Sequence, residues 1–596
     1  MSLKKHTRIG AALFCALALT AAACGDDTDP GTPGATATKP TGLKSGGTLK
    51  LANLKDLSHY DTNQAYEVRA WGYHLRATTR QLLSYENTPD PKKRDVPVPD
   101  LATGEPEISA DGLTYTFEIK NDIKYAPPVG REVVAADFVR AIKRLCDPNG
   151  VSGGLSYYED TIEGMDTFCA GFAKIKKESA AAAKDYVEKT DLPGVKAEGD
   201  KKLVFKLKQK AGDFTNMLAL PFATPVPVEV LDYITDSAEF RKNLAGFATG
   251  PYFVEKYTAN QTLHLARNPN WKKDTDKLRA AYVDRIEVTL NAASRESIQQ
   301  QIEAGTLDGY LRGAPPNAAA DKAERIKDPR MKIDQDGSCV FYIVFNLHHS
   351  TAGGKAIQNK VVRQALNFAI DKTAIIQVLG GPRNGNPTGQ ILPPTLVGYK
   401  KIDPYATPGS KGDLDKAKQL LDSANVKNLK LDFIYDNTET NKNIVQVIAD
   451  QLKKIGISIN PNPQDDATVH TTNPKSDNWD LYYAGWCPDW NGNGARTFFR
   501  PLLSDPDLKN YNAGGSYNYG GYTNPEVDAK VVEALAAPAE QAAGIWADID
   551  VKVMDDAPWV PIYTSNGVTF ISERLQGYVY FPFSIGFDLT NVSVVK

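Results

Sequence analysis

Trp479-Asp480-Leu481-Tyr482-Tyr483-Ala484 runs without a break into Gly485-Trp486-Cys487-Pro488-Asp489-Trp490-Asn491. The first six residues are apolar and aromatic apart from Asp480, which is the composition of a buried strand. The next seven end that strand with two tryptophans on either side of one carboxylate. Aromatic faces exclude water, and a carboxylate in low dielectric holds a cation far more strongly than one on an open surface. The chemistry that fits is an ammonium group paired with Asp489 between Trp486 and Trp490. The plainer reading is a strand end with a capping aspartate, and seven residues alone do not choose between the two.

Outward from this stretch, helices and strands interleave. Leu429 to Tyr435, Ile457 to Ile459 and Asp480 to Ala484 read as strands. A helix from Thr440 to Ile455 lies between the first two and is ended by Gly456. Val340 to Phe345 is a strand rich in aromatic and β-branched residues, and Val560 to Tyr563 is another. Lys360 to Ile370, Asp413 to Leu421, Val527 to Ala536 and Gln541 to Met554 read as helices. Upstream, Thr48 to Ala52, Lys202 to Leu207 and Gln261 to Ala266 read as strands. Tyr66 to Leu83, Ala135 to Leu145 and Ser294 to Ala304 read as helices. Leu113 to Lys120 alternates strictly and follows the turn Ala110-Asp111-Gly112, a hairpin signal. This interleaving predicts α/β lobes, with the N- and C-terminal strands sharing one sheet.

The N-terminus carries an address. Lys4, Lys5 and Arg8 precede an apolar run, Ala11 to Leu19, that is too short to span a bilayer. Ala21-Ala22-Ala23-Cys24-Gly25 follows, so residues 1–23 read as a signal peptide and Cys24 as a lipidation site. Ala21 stands where a lipobox usually has Leu; the alternative is plain secretory cleavage after an Ala-x-Ala. Gly25 to Ser45 is rich in Pro, Thr and Gly and has no aromatic residue, the composition of a disordered tether reaching roughly 25 Å. Residues 24–45 are thus anchor and tether.

Composition excludes several classes. A net charge of −3 and a pI near 6.2 give no footprint for nucleic acid. There is no nucleophile-elbow, His-Glu-x-x-His, P-loop or Cys-x-x-Cys motif. His348-His349 is the one histidine pair, and neighbours on a chain point apart. No catalytic residue, metal or cofactor is expected. A hydrolase built on scattered carboxylates leaves no local signature and stays open as the rival class.

The segment Trp486-Cys487-Pro488-Asp489-Trp490-Asn491 resembles the Trp-Cys-x-Asp-Tyr-Asn segment of bacterial oligopeptide-binding proteins. The resemblance extends over roughly Gly46 to Val595. Landmarks similar to the peptide- and nickel-type extracellular solute-binding proteins (family 5) occur in order. They include Asp111-Gly112-Leu113-Thr114-Tyr115-Thr116-Phe117, Thr249-Gly250-Pro251-Tyr252, Val362-Arg363-Gln364-Ala365-Leu366 and Gly521-Tyr522-Thr523-Asn524-Pro525. The resemblance implies a two-lobe periplasmic-binding-protein-like α/β fold (type II) with an extra inserted domain, closing by hinge motion. The expected boundaries are lobe I from 46–85, 190–335 and 560–596, an insert at 86–189, and lobe II at 336–559.

It also implies an extracytoplasmic receptor of an ABC importer. Such a receptor is a monomer anchored through Cys24 to the outer face of the cell membrane, and it delivers peptides to permease subunits. In the family the Asp equivalent to Asp489 pairs with the ligand's free α-amino group. Gly485, Trp486 and Cys487 lie where backbone groups pair with an extended peptide, and Tyr157 lies near a ligand-facing Tyr. The family's Cys after the Trp pairs with one before the aromatic strand, which matches Cys339–Cys487; Cys146 and Cys169, flanking one compact stretch, form the second pair. Tyr483 departs from close relatives, which often carry an Arg there that meets the peptide carboxylate. Gly492-Asn493-Gly494 departs from their acidic residue and Pro. The ligands expected are therefore longer peptides, or other amine-bearing solutes.

Overall fold

Strict alternation from Leu113 to Lys120 yields a half-buried strand. The computed structural model describes residues 41–66, 70–150, 152–465, 478–505 and 517–595. In it the Thr114–Glu118 strand buries Tyr115 and Phe117 and leaves Thr114 and Thr116 half-covered. It pairs with Glu107–Ile108 across the expected hairpin and with Lys202–Lys206 on its other side. Val195–Glu198 completes this four-stranded sheet. The sheet packs on helices Ala135–Arg144, Leu155–Thr161 and Met165–Phe172, sharing one core with Phe138, Tyr157 and Phe168. A bond from Cys146 to Cys169 ties two of these helices together. The signal peptide, Cys24 and residues 24–40 of the tether lie outside the described residues.

A five-stranded sheet forms the second layer system. Its order is Gly309–Tyr310, Thr48–Ala52, Arg285–Thr289, Thr262–Arg267 and Tyr252–Thr258. Its apolar face meets the end of the chain, where Ile571, Leu575, Phe587, Leu589 and Val594 join Leu49, Leu51 and Ile286 in one cluster.

The third sheet carries the opening stretch of the sequence. Its six strands are, in order, Gly385–Pro387, Trp559–Phe570, Met331–Phe345, Leu481–Trp486, Leu429–Asp436 and Ile457–Gln464. Side chains alternate between faces along a strand, and two cores result. Val340, Tyr342, Val344, Tyr482 and Ala484 face helices Arg496–Leu503, Pro525–Ala536 and Ala539–Asp556. Ile343, Phe345, Leu481 and Tyr483 face helices Lys360–Ala369 and Glu439–Lys453. Arg363 spends its guanidinium on the carbonyls of Ile357, Gln358, Asp556 and Ala557, a splint between helix ends.

Two sequence readings change. The helix expected from Tyr66 to Leu83 is a short one: a π-helical turn, Trp71–Leu75, runs into Arg76–Thr78, and an extended chain leads to the Leu83–Ser84 strand. Tertiary pairing overrides propensity here. Arg76 reaches Asp588 and Arg80 reaches Asp100, both as buried ion pairs at 2.9 and 2.8 Å. The N- and C-terminal strands do not share a sheet either: Trp559–Phe570 belongs to the six-stranded sheet along its whole length. Long-range pairing of this kind has no local signal in the sequence.

The chain crosses between the five- and six-stranded sheets twice, on Met331–Phe345 and Trp559–Phe570. These two strands pair with each other, with a register break between Asp334 and Cys339. Ile571 then bridges to Gly309 of the five-stranded sheet.

Candidate amine and peptide site

The site grows from the end of the Leu481–Trp486 strand. On one side this strand pairs with Met331–Phe345 throughout, from Phe345↔Leu481 to Val340↔Trp486. On the other, Leu429–Asp436 pairs with it only at Leu481 and Tyr482. From Tyr483 to Trp486 the second edge therefore has no strand beside it among the described residues, and Gly485 is exposed. A Cβ at Gly485 would lie 2.6 Å from the Phe341 ring, so the position takes glycine for space. The Cys339–Cys487 bond fixes the strand's end to its neighbour.

Two indoles close the turn that follows. Trp486 Nε1 donates to the Thr497 carbonyl at 2.9 Å, and Trp490 Nε1 to the Asn493 carbonyl at 3.0 Å. Asp489 is thereby turned into the space between the six-stranded sheet and the other two sheets, where it is only 2% exposed. Its Oδ2 accepts the Tyr157 hydroxyl at 2.6 Å and the Tyr66 hydroxyl at 2.7 Å. Tyr157 comes from the Leu155–Thr161 helix and Tyr66 from the segment before the π-helical turn. Burial pushes the Asp489 carboxyl up to about 7, and the two phenols offset only part of that rise. Burial and the neighbouring carboxylate push both phenols well above their usual range.

The tryptophans act one layer out from where the sequence reading puts them. Trp490 packs edge-on against Tyr157 at 5.3 Å. Trp486 packs on Tyr66 at 5.9 Å and on Tyr517 at 5.2 Å. They hold the tyrosines that hold the carboxylate. Gly153 lets this cluster close, since a Cβ there would sit 2.6 Å from the Tyr66 ring and from the Tyr517 hydroxyl.

The sequence reading named Asp489, Trp486, Gly485, Cys487, Trp490 and Tyr157, and the structure gathers all six around this turn. It missed Tyr66 and Tyr517, which carry no local signal. It also missed Arg496, which opens the Arg496–Leu503 helix and is 1% exposed. Arg496 reaches across to the Tyr157 carbonyl, Thr161 Oγ1 and Asp213, and its guanidinium lies over the Tyr157 ring at 5.5 Å. One turn on, Arg500 grips Asp160 through two bonds of 2.6 and 3.0 Å. At the position of the relatives' Arg, Tyr483 is buried and its hydroxyl shares a hydrogen bond with Tyr563 at 3.1 Å.

The sequence profile of the bacterial extracellular solute-binding proteins, family 5, matches residues 96–510. The heme-binding protein A of Haemophilus influenzae is 28% identical over 540 residues, 87% of each chain. The periplasmic oligopeptide-binding protein OppA of Salmonella typhimurium is 25% identical over 494 residues, 80% of this chain and 82% of that one. Among solved structures, clavulanic acid biosynthesis oligopeptide binding protein 2 superposes with a TM-score of 0.78 at 25% identity, covering 94% of this chain and 99% of its own. The Haemophilus influenzae OppA complex with RPPGFSPFR superposes with a TM-score of 0.74 at 21% identity, covering 93% and 100%. The fold is thus the two-lobed α/β fold of these binding proteins, and the chain belongs to the bacterial extracellular solute-binding proteins of family 5.

Proposed function

We propose that this chain binds peptides bearing a free amino terminus between its lobes and delivers them to the permease subunits of an ABC importer. The observation that supports this best is Asp489, a buried carboxylate beside a strand edge that has no strand paired to it from Tyr483 to Trp486 among the described residues. An ammonium supplies the counter-charge that two phenols do not, and an extended main chain pairs with the edge from Tyr483 to Trp486 as an added strand. Two of the relatives named above bear oligopeptide-binding in their names, which agrees with this reading. Buried Tyr483 offers no cation for a ligand carboxylate, so the preference falls on longer peptides. The chain acts as a binding protein, not an enzyme, and works as a monomer. Residues 1–23 are its signal peptide, and a lipid on Cys24 holds it at the outer face of the membrane. Lobes that divided where the sheets divide would place Lys202–Lys206 with the insert and Trp559–Phe570 with the second lobe, on the other side of the boundaries read at 190 and 560.

Native mass spectrometry of the purified protein, before and after incubation with a defined peptide library, tests the proposal. Bound peptides should be recovered intact and should all carry free amino termini. Recovery of haem in their place, or fragments whose formation persists through further purification, overturns it.

A further inference from the structure

The pairing register sets Pro387, Tyr563, Phe341 and Gly485 in one line across the six-stranded sheet. Residues paired directly across strands carry their side chains on the same face. On that face the Tyr563 and Phe341 rings stack at 4.7 Å with their planes 7° apart. Tyr483 stands two residues before Gly485, on the same face. Its ring lies against Phe341 at 6.4 Å, and its hydroxyl shares a hydrogen bond with that of Tyr563 at 3.1 Å. The three rings thus brace one another into a wall whose two hydroxyls meet each other.

The row of side chains breaks off at Gly485. Tyr563 and Tyr483 are 3% and 5% exposed, but Phe341 is only partly buried and Gly485 is exposed. One face of the Phe341 ring lies on Tyr563, and the ring reaches over Gly485, where a Cβ would stand 2.6 Å from two of its carbons. Its other face looks toward the edge that has no strand paired to it from Tyr483 to Trp486 among the described residues. We infer that this wall is a side-chain pocket of the peptide site: the ligand residue opposite Gly485 is aromatic by preference, its ring laid on the free face of Phe341. The inference rests on the main-chain pairing proposed above and adds which side chain the site selects. An added strand runs about 4.8 Å from its neighbour, close to the step at which rings stack. A ring leaning over a glycine of the adjoining strand is a device that sheets use at their edges. The ligand residues before and after that one point to the opposite face and do not meet Phe341.

The test titrates the full chain by calorimetry with penta-alanine and with the five peptides that carry one phenylalanine in it, all with free amino termini. One phenylalanine position should bind about tenfold or more tightly than penta-alanine. Phe341→Leu keeps an apolar side chain and removes the ring. In that variant the gain at this position, measured against penta-alanine on the same protein, should shrink to about threefold or less. Gains at other positions should persist. Phe341→Tyr keeps the ring and should keep the gain. The inference is overturned if no position of the wild type prefers phenylalanine, or if every gain survives Phe341→Leu undiminished; in both cases peptide binding itself still stands. If the wild type binds neither penta-alanine nor any of the five, the peptide reading falls and the pocket falls with it.

Discussion

Peptide affinity should be bell-shaped in pH, and the structure sets both limbs. In the sealed site the Asp489 carboxyl is held at about 7, against 3.8 in water. Below pH 3.8 a sealed and a solvated carboxyl are both protonated. Between 3.8 and 7 the sealed form keeps a proton that the solvated form has lost, so rising pH works against sealing. Above 7 the charge is present in either state, and burying it without a counter-ion costs about 4 kcal/mol. A peptide ammonium binds only the ionised carboxylate. Affinity should therefore climb about tenfold per pH unit from 5 to 7. It should fall again above about 8, where the peptide's own α-amino group loses its proton. Calorimetry near pH 6 in buffers of different ionisation enthalpy should show close to one proton released per peptide bound. Asp489→Asn should abolish that release and the acid limb together. It should lower affinity by about two orders of magnitude or more, the usual cost of a buried ammonium left without a partner. An N-acetylated peptide should bind the wild type poorly and change little in the variant. A flat profile between pH 5 and 7, or near-additive losses in the cycle of two proteins and two peptides, would refute the assignment.

Other consequences are as direct. Arg500→Ala removes a two-pronged grip between the Arg496–Leu503 helix and Asp160 of the Leu155–Thr161 helix. The ligand-free protein should expand in small-angle scattering, with peptide affinity reduced about tenfold. Asp550→Asn should lower the stability of the six-stranded body by about 2 kcal/mol in urea unfolding. The Asp550 carboxylate accepts the Ile391 and Leu392 amides and the Gln390 side chain, and an amide N–H₂ would face a donor with a donor. Non-reducing peptide maps should recover Cys146–Cys169 and Cys339–Cys487. Opening the second bridge, which closes a loop of 148 residues, should cost about 5 kcal/mol on the loop-entropy scale and loosen the amine site. Cys24→Ala should release the protein into the medium or trap its precursor; processing and membrane attachment as in the wild type would count against the lipid anchor.

Much of the six-stranded sheet and its helices was legible because the signals are local. Alternation over 340–345 and 481–484 sets two faces, and the helix read from Thr440 to Ile455 runs from Glu439 to Lys453, with Gly456 at positive φ in the turn that follows. What failed was non-local. Arg76 and Arg80 look like helix surface in the sequence, yet their partners, Asp588 and Asp100, lie 512 and 20 residues away. Tyr66 stands 423 residues from Asp489, and no periodicity links them. The carboxylate was readable from its two tryptophans and Tyr157 from the family resemblance, whereas Tyr66 was not.

On the proposed function, those two phenols join binding to closure. Asp489 belongs to the six-stranded body, and Tyr66 and Tyr157 belong to the opposite side. Sealing the lobes on an empty site surrounds a carboxyl with two neutral donors, and near neutral pH it must take up a proton or be buried as a bare charge. Sealing on an ammonium removes that penalty, because the ligand brings the counter-charge. A ligand shifts an equilibrium only by its differential affinity for the two states. Here the difference is an ionic one, of order a few kcal/mol, which corresponds to a shift of about two to three decades. A solute of the same shape without the amine gains main-chain pairing along Tyr483 to Trp486 but leaves the penalty standing. Arg496 and Arg500 follow Asp489 by less than one dozen residues and grip the helix that bears Tyr157. On the proposed function, the element that would read the amine also carries the two arginines that hold the Leu155–Thr161 helix, and closure should then be coupled to the charge of the ligand more than to its side chains.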